Sequence, residues 1–472
     1  MISFQDAQRS DAKAVAWLIG AFLLTLPLIN PYVRGDGNGY YAYVRSAVID
    51  QDLQFENEFR HGDPAFLGFV FDDRMQVRPE LATSTHHVRN QWAVGPSLLW
   101  APFFLIAHGM VESLNHLGWN IPADGYSLPY LWSCALGTAL YAFIGLLLSY
   151  WAAQQFTTGP SALLATVGIW FASSLPVYMY FLPFHVHALA AFTVSLFLWY
   201  WLRTRPQRTL KQWGLWGLMG GLVAEVYYLN MIFLLIPLFD MGKSGARAGE
   251  AKNILAFSAA VLLALMPHFA VKWIIHGSPF DTGYRDQFFL DSPRLWQVAF
   301  SSEHGMFLWT PVLLLAVAGL LFLWRQYRMV AAPLLTVFVV FYYAVASYQN
   351  WHGISAFGNR FFVSFTPVFV LGLAICLQEA GRALSGFRAR LVPALLLAGL
   401  VLWNVGFMFQ WGTNLVPNRG PVALAEVARN QVTVVPKRIG GFLVRYLASR
   451  QQVDREIELE DLNDWKQYRQ ER

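Results

Sequence analysis

Long apolar runs divide this chain, and most of them are close to twenty residues long. A helix needs about 20 predominantly apolar residues to cross the hydrocarbon core of a bilayer, so each such run predicts a membrane-spanning helix. The predicted segments are 15–33, 127–152, 160–181, 184–203, 213–240, 253–276, 305–325, 330–348, 357–379 and 391–412. The pattern therefore predicts an all-α polytopic membrane protein.

Basic clusters indicate which loops lie in the cytoplasm, because short cytoplasmic loops are enriched in lysine and arginine. The clearest clusters are 203–211, 243–252, 325–328 and 382–390. They share one side only if 213–240 is a hairpin of two short helices that turns around 225–230. The run at 94–111 must also stay at the outer interface as an amphipathic or re-entrant element, which Pro96 and Pro102 favour. The expected total is then about 11 transmembrane helices.

This topology divides the chain into two parts. Residues 1–412 form a transmembrane domain with a cytoplasmic N-terminus, and within it 34–126 is one large outer loop that carries interfacial helices. Residues 413–472 form an extracytoplasmic tail. Arginines such as Arg419 and Arg429 are unexpected on the outer side, although the acidic sequence that follows them, DREIELEDLNDW, partly offsets their charge.

Composition narrows the function. The chain of 472 residues is 56% hydrophobic and 13% charged, with a formal net charge of +5. Cytoplasmic loops explain this charge, and no basic run carries the interleaved aromatics of a nucleic-acid site, so no nucleic acid is expected as a partner. The sequence contains no Walker loop, Rossmann glycine pattern, nucleophile elbow, HExxH or CxxC motif. This argues against chemistry driven directly by ATP, NAD or a serine nucleophile.

Polar residues at the helix ends fall on the predicted outer side and indicate a cavity that opens outwards, since ionisable groups near a membrane tend to mark function. Asp36 is the sharpest candidate. It lies between glycines in RGDGNGYY, directly after the first apolar run. A carboxylate there could act as a general base or hold a cation, and the glycines permit a ligand to approach or a tight turn to form. The alternative is a solvated turn.

Two arginines and one histidine on this side could bind a phosphate. Arg360, next to Asn359, could clamp a phosphate with its planar fork of donors, and the alternative is an arginine that snorkels to the interface. Arg285 and His304 are reserve candidates for the same role.

Histidine and tryptophan add further candidates on the same side. His185 and His187, in PFHVHA, could be metal ligands, although capping or hydrogen-bonding roles are commoner for such a pair at a helix start. Trp351 and His352 could line the site or belong to an interfacial aromatic belt.

Several stretches together resemble the GT-C membrane glycosyltransferases, with a closer likeness to bacterial members of the protein mannosyltransferase and aminoarabinose transferase group. They are GDGNGYY, VGPSLLWAPFF, FHVHALAAF, HGSPF, FSSEHGMFLWTPVLLLAVAGL and GNRFFVSFTPVFVLGLA. Each stretch is a weak signal alone, but their order over residues 15–415 is fairly specific.

The resemblance implies an enzyme of the bacterial cytoplasmic (inner) membrane whose active site faces the periplasm or exterior. It would transfer a sugar from a polyprenyl-phosphate carrier to a lipid, glycan or protein acceptor. It implies that Asp36 is the base and that Arg360 contacts the carrier phosphate. Because Gly37 follows Asp36, the commoner Asp-Glu pair is missing, so a second acid would come from Asp50 or Asp52 or be absent. Whether a divalent cation takes part is left open.

A transporter or flippase of a lipid-linked sugar is the main alternative, because it also needs an outer cavity beside a lipid groove. Transporters place functional ionisable residues near the bilayer midplane and on both faces. In this sequence Glu225 and Lys272 come nearest to the midplane, and the other polar groups are one-sided. This asymmetry favours the transferase.

Overall fold

The computed structural model describes residues 4–205, 207–241 and 248–471, and every regular element in these residues is helical. The α-helices are α1 Phe4–Thr25, α2 Asp36–Arg45, α3 Glu56–Phe59, α4 Pro64–Val70, α5 Gly95–His116, α6 Leu128–Gln154, α7 Gly159–Ala172, α8 His187–Thr204, α9 Leu210–Val226, α10 Ile236–Met241, α11 Ala248–Ala264, α12 Met266–His276, α13 Leu295–Phe300, α14 Met306–Trp309, α15 Val312–Gln326, α16 Arg328–Ser347, α17 Thr366–Ala383, α18 Arg388–Gly412, α19 Leu424–Thr433, α20 Val435–Ala448 and α21 Arg450–Glu471. The predicted all-α architecture is confirmed.

Shorter helical segments of other types connect these helices. The 3₁₀ segments are Leu26–Leu28, Pro79–Leu81, Tyr228–Leu235 and Arg360–Phe365, and the π-helical segments are Ser46–Asp50 and Val177–Phe181. Pairing of extended backbone within the described residues is limited to three isolated bridges. Irregular helical turns of this kind often accompany functional sites.

Glycines allow the apolar helices to pack closely. α9 packs on α11, where a side chain at Gly217 would overlap the carbonyl of Phe257. α15 packs on α17 in the same way, with Gly319 against the backbone of Gly372. Lipid tails are as apolar as the helices, so close contact between backbones, and not hydrophobic burial alone, stabilises such pairs in a bilayer.

Six helices among the described residues are long and apolar enough to cross a membrane. They are Asp11–Leu28, Gly95–His116, Leu128–Gln154, Arg328–Ser347, Arg360–Ala383 and Leu391–Gly412. A seventh is counted if α11 and α12, which meet at 44°, form one span. The apolar helices Gly159–Ala172, Tyr228–Asp240 and Val312–Gln326 are shorter. The total of about 11 crossings stays a prediction.

The prediction that 213–240 folds as a hairpin is confirmed. The chain turns at Tyr227, which is extended between α9 and the next 3₁₀ segment. Asp240 then returns to Arg208 at the start of the hairpin, with 2.8 Å between Oδ2 and Nη1. Both ends of the hairpin therefore lie on the same side of the bundle. Part of the next predicted basic cluster, 243–247, lies outside the described residues.

The run expected to stay at the outer interface forms one helix, α5, whose course is not broken by proline. Pro96 stands in its first turn, where helices tolerate proline, and Pro102 lies inside it. The predicted break at the prolines is wrong, because the helix continues through both of them. Its length would allow it to cross the membrane, so its place at the outer interface stays a prediction. The chain nevertheless returns to α2 after α5, because the Gly125 carbonyl accepts a hydrogen bond from Tyr41 Oη at 2.6 Å. This contact favours the prediction that 34–126 lies on one side.

The C-terminal tail folds back onto the bundle as three helices, α19, α20 and α21. Asn30 Nδ2 donates to Asp454 Oδ1 of α21 at 2.7 Å, and Arg34 forms an ion pair with the same carboxylate. Arg419 holds a later turn of α21 through Asp461, with 2.7 Å between Nη1 and Oδ1. The tail therefore covers the segment that leads into α2.

Candidate active site

A cavity of about 950 Å³ lies where the start of α2, several helix ends and the C-terminal tail meet. Its polar lining residues are Asn30, Arg34, Asp36, Asp63, Gln91, His185, His187, Thr282, Asp286, Asn350, Ser355, Arg360, Thr413, Asn418, Arg419, Glu458 and Asp461. The rest of the wall is mostly apolar or aromatic. A large apolar cavity with a few convergent polar groups is the usual form of a small-molecule site.

The turn before α2 fixes Asp36 at the first position of that helix. Gly35 has a φ of +50°, a conformation that favours glycine. Its amide donates to Asp63 Oδ2 at 2.6 Å, and Asn38 Nδ2 donates to the same oxygen at 3.1 Å. Asp63 also caps α4 by accepting from the Phe66 amide at 3.2 Å. The carboxylate of Asp36 therefore lies at a well-held helix N-terminus, where the helix dipole favours negative charge.

The other two glycines of GDGNG make room for aromatic side chains. A side chain on Gly37 would meet Phe184 Cβ at 2.8 Å, and one on Gly39 would overlap the Trp92 ring. The Trp92 indole also interacts with the Asp36 carboxylate and favours its charged form. The sequence predicts glycines that admit a ligand or form a turn, but only Gly35 forms the turn, and the other two admit side chains of the protein.

Asp36 and Arg360 form an ion pair in the cavity, with 2.9 Å between Oδ2 and Nη2. The Arg360 side chain is 14% exposed and that of Asp36 is 34% exposed, so the carboxylate keeps access to the cavity. Burial opposes the charge on Asp36, but Arg360, aided by His185 and the Trp92 hydrogen bond, holds the pKa of this carboxyl below its usual range. Asp36 is therefore ionised at neutral pH, as a general base must be.

The two predicted histidines line the cavity near this pair. His185 and His187 are 6% and 3% exposed. His187 packs edge-on against Tyr178 and Tyr227, with ring centroids 4.7 Å and 5.6 Å apart. These aromatic contacts fix the orientation of the His187 ring within the wall.

Metal-ligating side chains do not form a cluster around this ion pair in the part of the chain that the structure describes. The described residues contain no group of three or more histidine, cysteine, aspartate or glutamate side chains that could hold a metal ion. Asp36 faces a guanidinium, and His187 faces tyrosine rings. No metal ion takes part in the reaction steps that we propose for this site.

Asp50 and Asp52, the predicted candidates for a second acid, do not line the cavity. They follow the C-terminal end of α2, whereas the site lies at its start. Asp50 pairs with Arg45, and Asp52 accepts from Ser46 Oγ at 2.8 Å. Neither is in place to act with the proposed base, because ten residues of helix carry them away from it. Asp63 is instead an acid in the cavity wall.

Three further predicted site residues lie behind the wall. Asn359 is 4% exposed, and its Nδ2 donates to the Trp351 carbonyl at 3.1 Å. His352 Nδ1 accepts from the Ile354 amide at 3.0 Å. These contacts shape the loop that carries Arg360, so these residues support the site and do not line it.

The two reserve candidates for a phosphate do not reach the cavity. Arg285 is exposed and binds Asp281 through two hydrogen bonds of 2.9 Å. His304 has no exposed surface and packs on Trp309, with 4.7 Å between the ring centroids. Of the predicted arginines, Arg360 is the one that lines the cavity.

Sequence reasoning missed much of the cavity wall. Arg34 and Arg419 bring two more guanidinium groups to it, and Glu458, Asp461 and Trp465 of α21 line the side formed by the tail. One feature of the sequence did indicate Arg419. Arginines are unexpected in a predicted outer tail, so such a residue needs a partner there. Tyrosines form the other missed group, which includes Tyr40, Tyr180, Tyr284 and Tyr348.

No protein-family model matches the chain, and no curated protein is significantly similar to it. Solved structures that are similar include ArnT from Cupriavidus metallidurans in the apo state, at 13% identity and a TM-score of 0.48 over 92% of this chain and 76% of that chain. ArnT from the same organism bound to undecaprenyl phosphate has a TM-score of 0.49 and 13% identity, and the match covers 93% of this chain and 77% of that chain. The archaeal oligosaccharyltransferase AglB from Archaeoglobus fulgidus, in complex with an inhibitory peptide and a dolichol-phosphate, has a TM-score of 0.47 and 13% identity. This match covers 93% of this chain and 56% of that chain.

ArnT and AglB are both GT-C glycosyltransferases, the group that the sequence motifs of this chain resemble. The chain spans about three quarters of ArnT and just over half of AglB. At 13% identity and TM-scores below 0.5, the likeness is one of helical arrangement and assigns no residue a role.

Proposed function

We propose that this protein is a membrane glycosyltransferase that moves a sugar from a polyprenyl-phosphate carrier to an acceptor on the outer face of a bacterial cytoplasmic membrane. The observation that carries the proposal is the ion pair of Asp36 and Arg360, 2.9 Å apart within a largely apolar cavity of about 950 Å³. An apolar cavity suits a polyprenyl chain, and the reaction needs one base for the acceptor and one cation near the departing phosphate.

Arg360 is the proposed binding residue for the carrier phosphate. Its Nη2 holds Asp36, whereas its Nε has no partner, so the guanidinium keeps donors for phosphate oxygens. A planar guanidinium suits this ligand because it can form two parallel hydrogen bonds to one phosphate. Negative charge grows on the phosphate as the bond to the sugar breaks, and a preplaced cation stabilises that charge.

Asp36 is the proposed base. The acceptor oxygen or nitrogen attacks the anomeric carbon of the sugar while the bond from that carbon to the phosphate oxygen breaks. The acceptor proton passes to the Asp36 carboxylate, and the electron pair of the broken bond leaves with the phosphate. Binding of the phosphate to Arg360 would weaken the hold of the guanidinium on Asp36 and so raise the basicity of the carboxylate when it is needed.

Sugar transfer by the purified protein tests this proposal. Proteoliposomes holding the parent or Asp36→Asn are given a panel of radiolabelled undecaprenyl-phosphate sugars together with lipid, glycan and peptide acceptors, and loss of label from the carrier is followed. Asp36→Asn should still bind undecaprenyl phosphate, measured by native mass spectrometry, but lose turnover by about two to four orders of magnitude. Asp50→Asn is the matched control and should keep most of the activity, because Asp50 lies away from the cavity.

Two results would contradict the proposal. Transfer at the parent rate in Asp36→Asn would remove this residue as the base. A parent protein that carries the lipid-linked sugar across the bilayer, and leaves its bond to the carrier intact, would be a transporter and not a transferase.

A further inference from the structure

Lys272 in α12 carries a buried amine that the proposed reaction does not use directly. Its side chain has no exposed surface. Nζ donates to the Asn90 carbonyl at 2.7 Å, to the Trp92 carbonyl at 3.0 Å and to the Tyr43 hydroxyl at 3.0 Å. These three bonds match the three N–H groups of an ammonium, which offsets the cost of its burial.

The backbone that Lys272 binds packs against the beginning of α2, the helix that carries the proposed base. Asn90 Nδ2 donates to the Gly39 carbonyl in α2 at 2.9 Å, and Asn90 Oδ1 accepts from the Trp92 amide at 3.1 Å. The Trp92 ring lies against Gly39 in α2, and its indole interacts with the Asp36 carboxylate. The contacts of Lys272 with the backbone of Asn90 and Trp92 therefore extend to the beginning of α2, where Asp36 lies.

Packing alone does not explain a lysine at this position. An apolar side chain would fill the space at less cost, because a lysine must give up its water to enter the protein here. Glu225, which interacts with Lys272 through its charge, is 1% exposed, and neither carboxylate oxygen has a hydrogen-bond partner. Lys272 thus directs its donors to two backbone carbonyls and a tyrosine hydroxyl, and not to the available acid.

We propose that Lys272 is a positioning residue for the transfer reaction. It fixes the backbone of Asn90 and Trp92, and the Trp92 indole then holds the Asp36 carboxylate in place while the carrier phosphate occupies Arg360. Arg360 and Trp92 both bind Asp36 in the structure, so release of one contact leaves the other to orient the base. This inference rests on the proposed function, because it requires Asp36 to be the base.

Lys272→Met removes the three donors and keeps a side chain of similar length. We expect kcat to fall by about ten- to hundredfold, as for a misplaced base, while the Kd for undecaprenyl phosphate changes by less than about twofold. The acid limb of the pH–kcat profile should move to higher pH, because the Trp92 hydrogen bond lowers the pKa of Asp36 and a displaced indole no longer does so. A residue that only supports folding would lower the yield of protein and leave the acid limb in place.

Trp92→Phe provides a second arm that keeps Lys272 and its hydrogen bonds. It should reproduce both the lower kcat and the shifted acid limb. The double variant Lys272→Met/Trp92→Phe should be no slower than Trp92→Phe, because both changes break the same connection. The proposal would be overturned if the kcat losses of the two single variants multiplied in the double variant. It would also be overturned if the pH–kcat profile of Trp92→Phe kept the acid limb of the parent. If Lys272→Met does not fold, Lys272→Gln, which keeps one donor group, replaces it in the same comparison.

Lys211→Met is the matched control, since Lys211 is exposed in the first turn of α9 and should affect neither kcat nor the acid limb. Failure of the proposed function would look different. Asp36→Asn would then keep the parent turnover, whatever the variants of Lys272 do.

Discussion

The start of α2 and the C-terminal tail both line the cavity, but different contacts hold them in place. At α2 the contacts are local and specific in shape, since the Gly35 amide binds Asp63 and a Trp92 ring fills the space beside a glycine. The tail is held by ion pairs with distant parts of the chain, such as Arg34 with Asp454. Changes near α2 should therefore alter the chemistry, whereas changes in the tail should alter how firmly it is docked.

The largest effect on docking is expected at Asp454. Its side chain is 6% exposed and binds both Asn30 and Arg34. Asp454→Leu would leave the Arg34 guanidinium only the more distant Glu458, 3.5 Å away, as a carboxylate partner, so the free energy for opening α21 should fall by about 3 kcal/mol. Hydrogen exchange of the α21 amides in nanodiscs measures this free energy.

The double variant Arg34→Met/Asp454→Leu shows whether the ion pair causes that loss. Two apolar partners should restore most of the opening free energy, because neither member of the Arg34–Asp454 pair is then left buried without the other. Arg445→Met is the control, because it removes an exposed ion pair with Glu456 in which the two side chains are 2.9 Å apart. It should change the opening free energy of α21 by less than about 1 kcal/mol. Equal losses in the single and double variants would mean that this pair does not hold the tail.

A smaller effect, on ligand binding, is expected at Arg360. Arg360→Ala should weaken undecaprenyl phosphate binding by roughly 1.5–3 kcal/mol, the usual loss for a hydrogen bond to a charged group. Arg360→Lys should lie between the parent and the alanine variant, because it keeps the charge but loses the planar fork. Arg285→Ala is the control, since Arg285 binds Asp281 at the surface. Unchanged affinity in Arg360→Ala, by native mass spectrometry, would place the phosphate elsewhere.

The smallest effect is a pH dependence of tail docking. Burial raises the pKa of Glu458 to about 6 despite the nearby Arg34. Burial also raises the pKa of Asp454. The docked state thus binds more protons than the open state. The stabilisation of the docked state by protonated Glu458 is complete below about pH 4.3, the ordinary pKa of a glutamate. It is lost as the pH rises through about 6.

The opening free energy of α21 should therefore fall by up to about 2 kcal/mol between pH 4 and 7. Glu458→Gln should reduce this slope, because its side chain cannot lose a proton. Hydrogen exchange across this range measures both, after correction for the intrinsic exchange rate. An opening free energy that rises with pH would contradict the assignment.

The two regions also differ in how well their cavity residues could be predicted from the sequence. Asp36 could be singled out as a candidate because a carboxylate between glycines at the end of an apolar run is a local pattern. Asp50 and Asp52 looked equally available, but α2 carries them away from the cavity, and sequence spacing does not show where a short helix will point. Arg419 seemed misplaced in an outer tail because its partners, including Asp461, come from a separate helix.

The sequence by itself determined the helical architecture and the hairpin at 213–240, because apolar length and loop charge act over neighbouring residues. It also singled out Asp36 and Arg360, each as a separate candidate. Only the tertiary structure decided that these two side chains meet at 2.9 Å, and that Lys272 binds the backbone behind them. Such pairings depend on how whole helices pack against one another, and close packing places side chains from distant parts of the chain within a few ångströms in ways that no local pattern records.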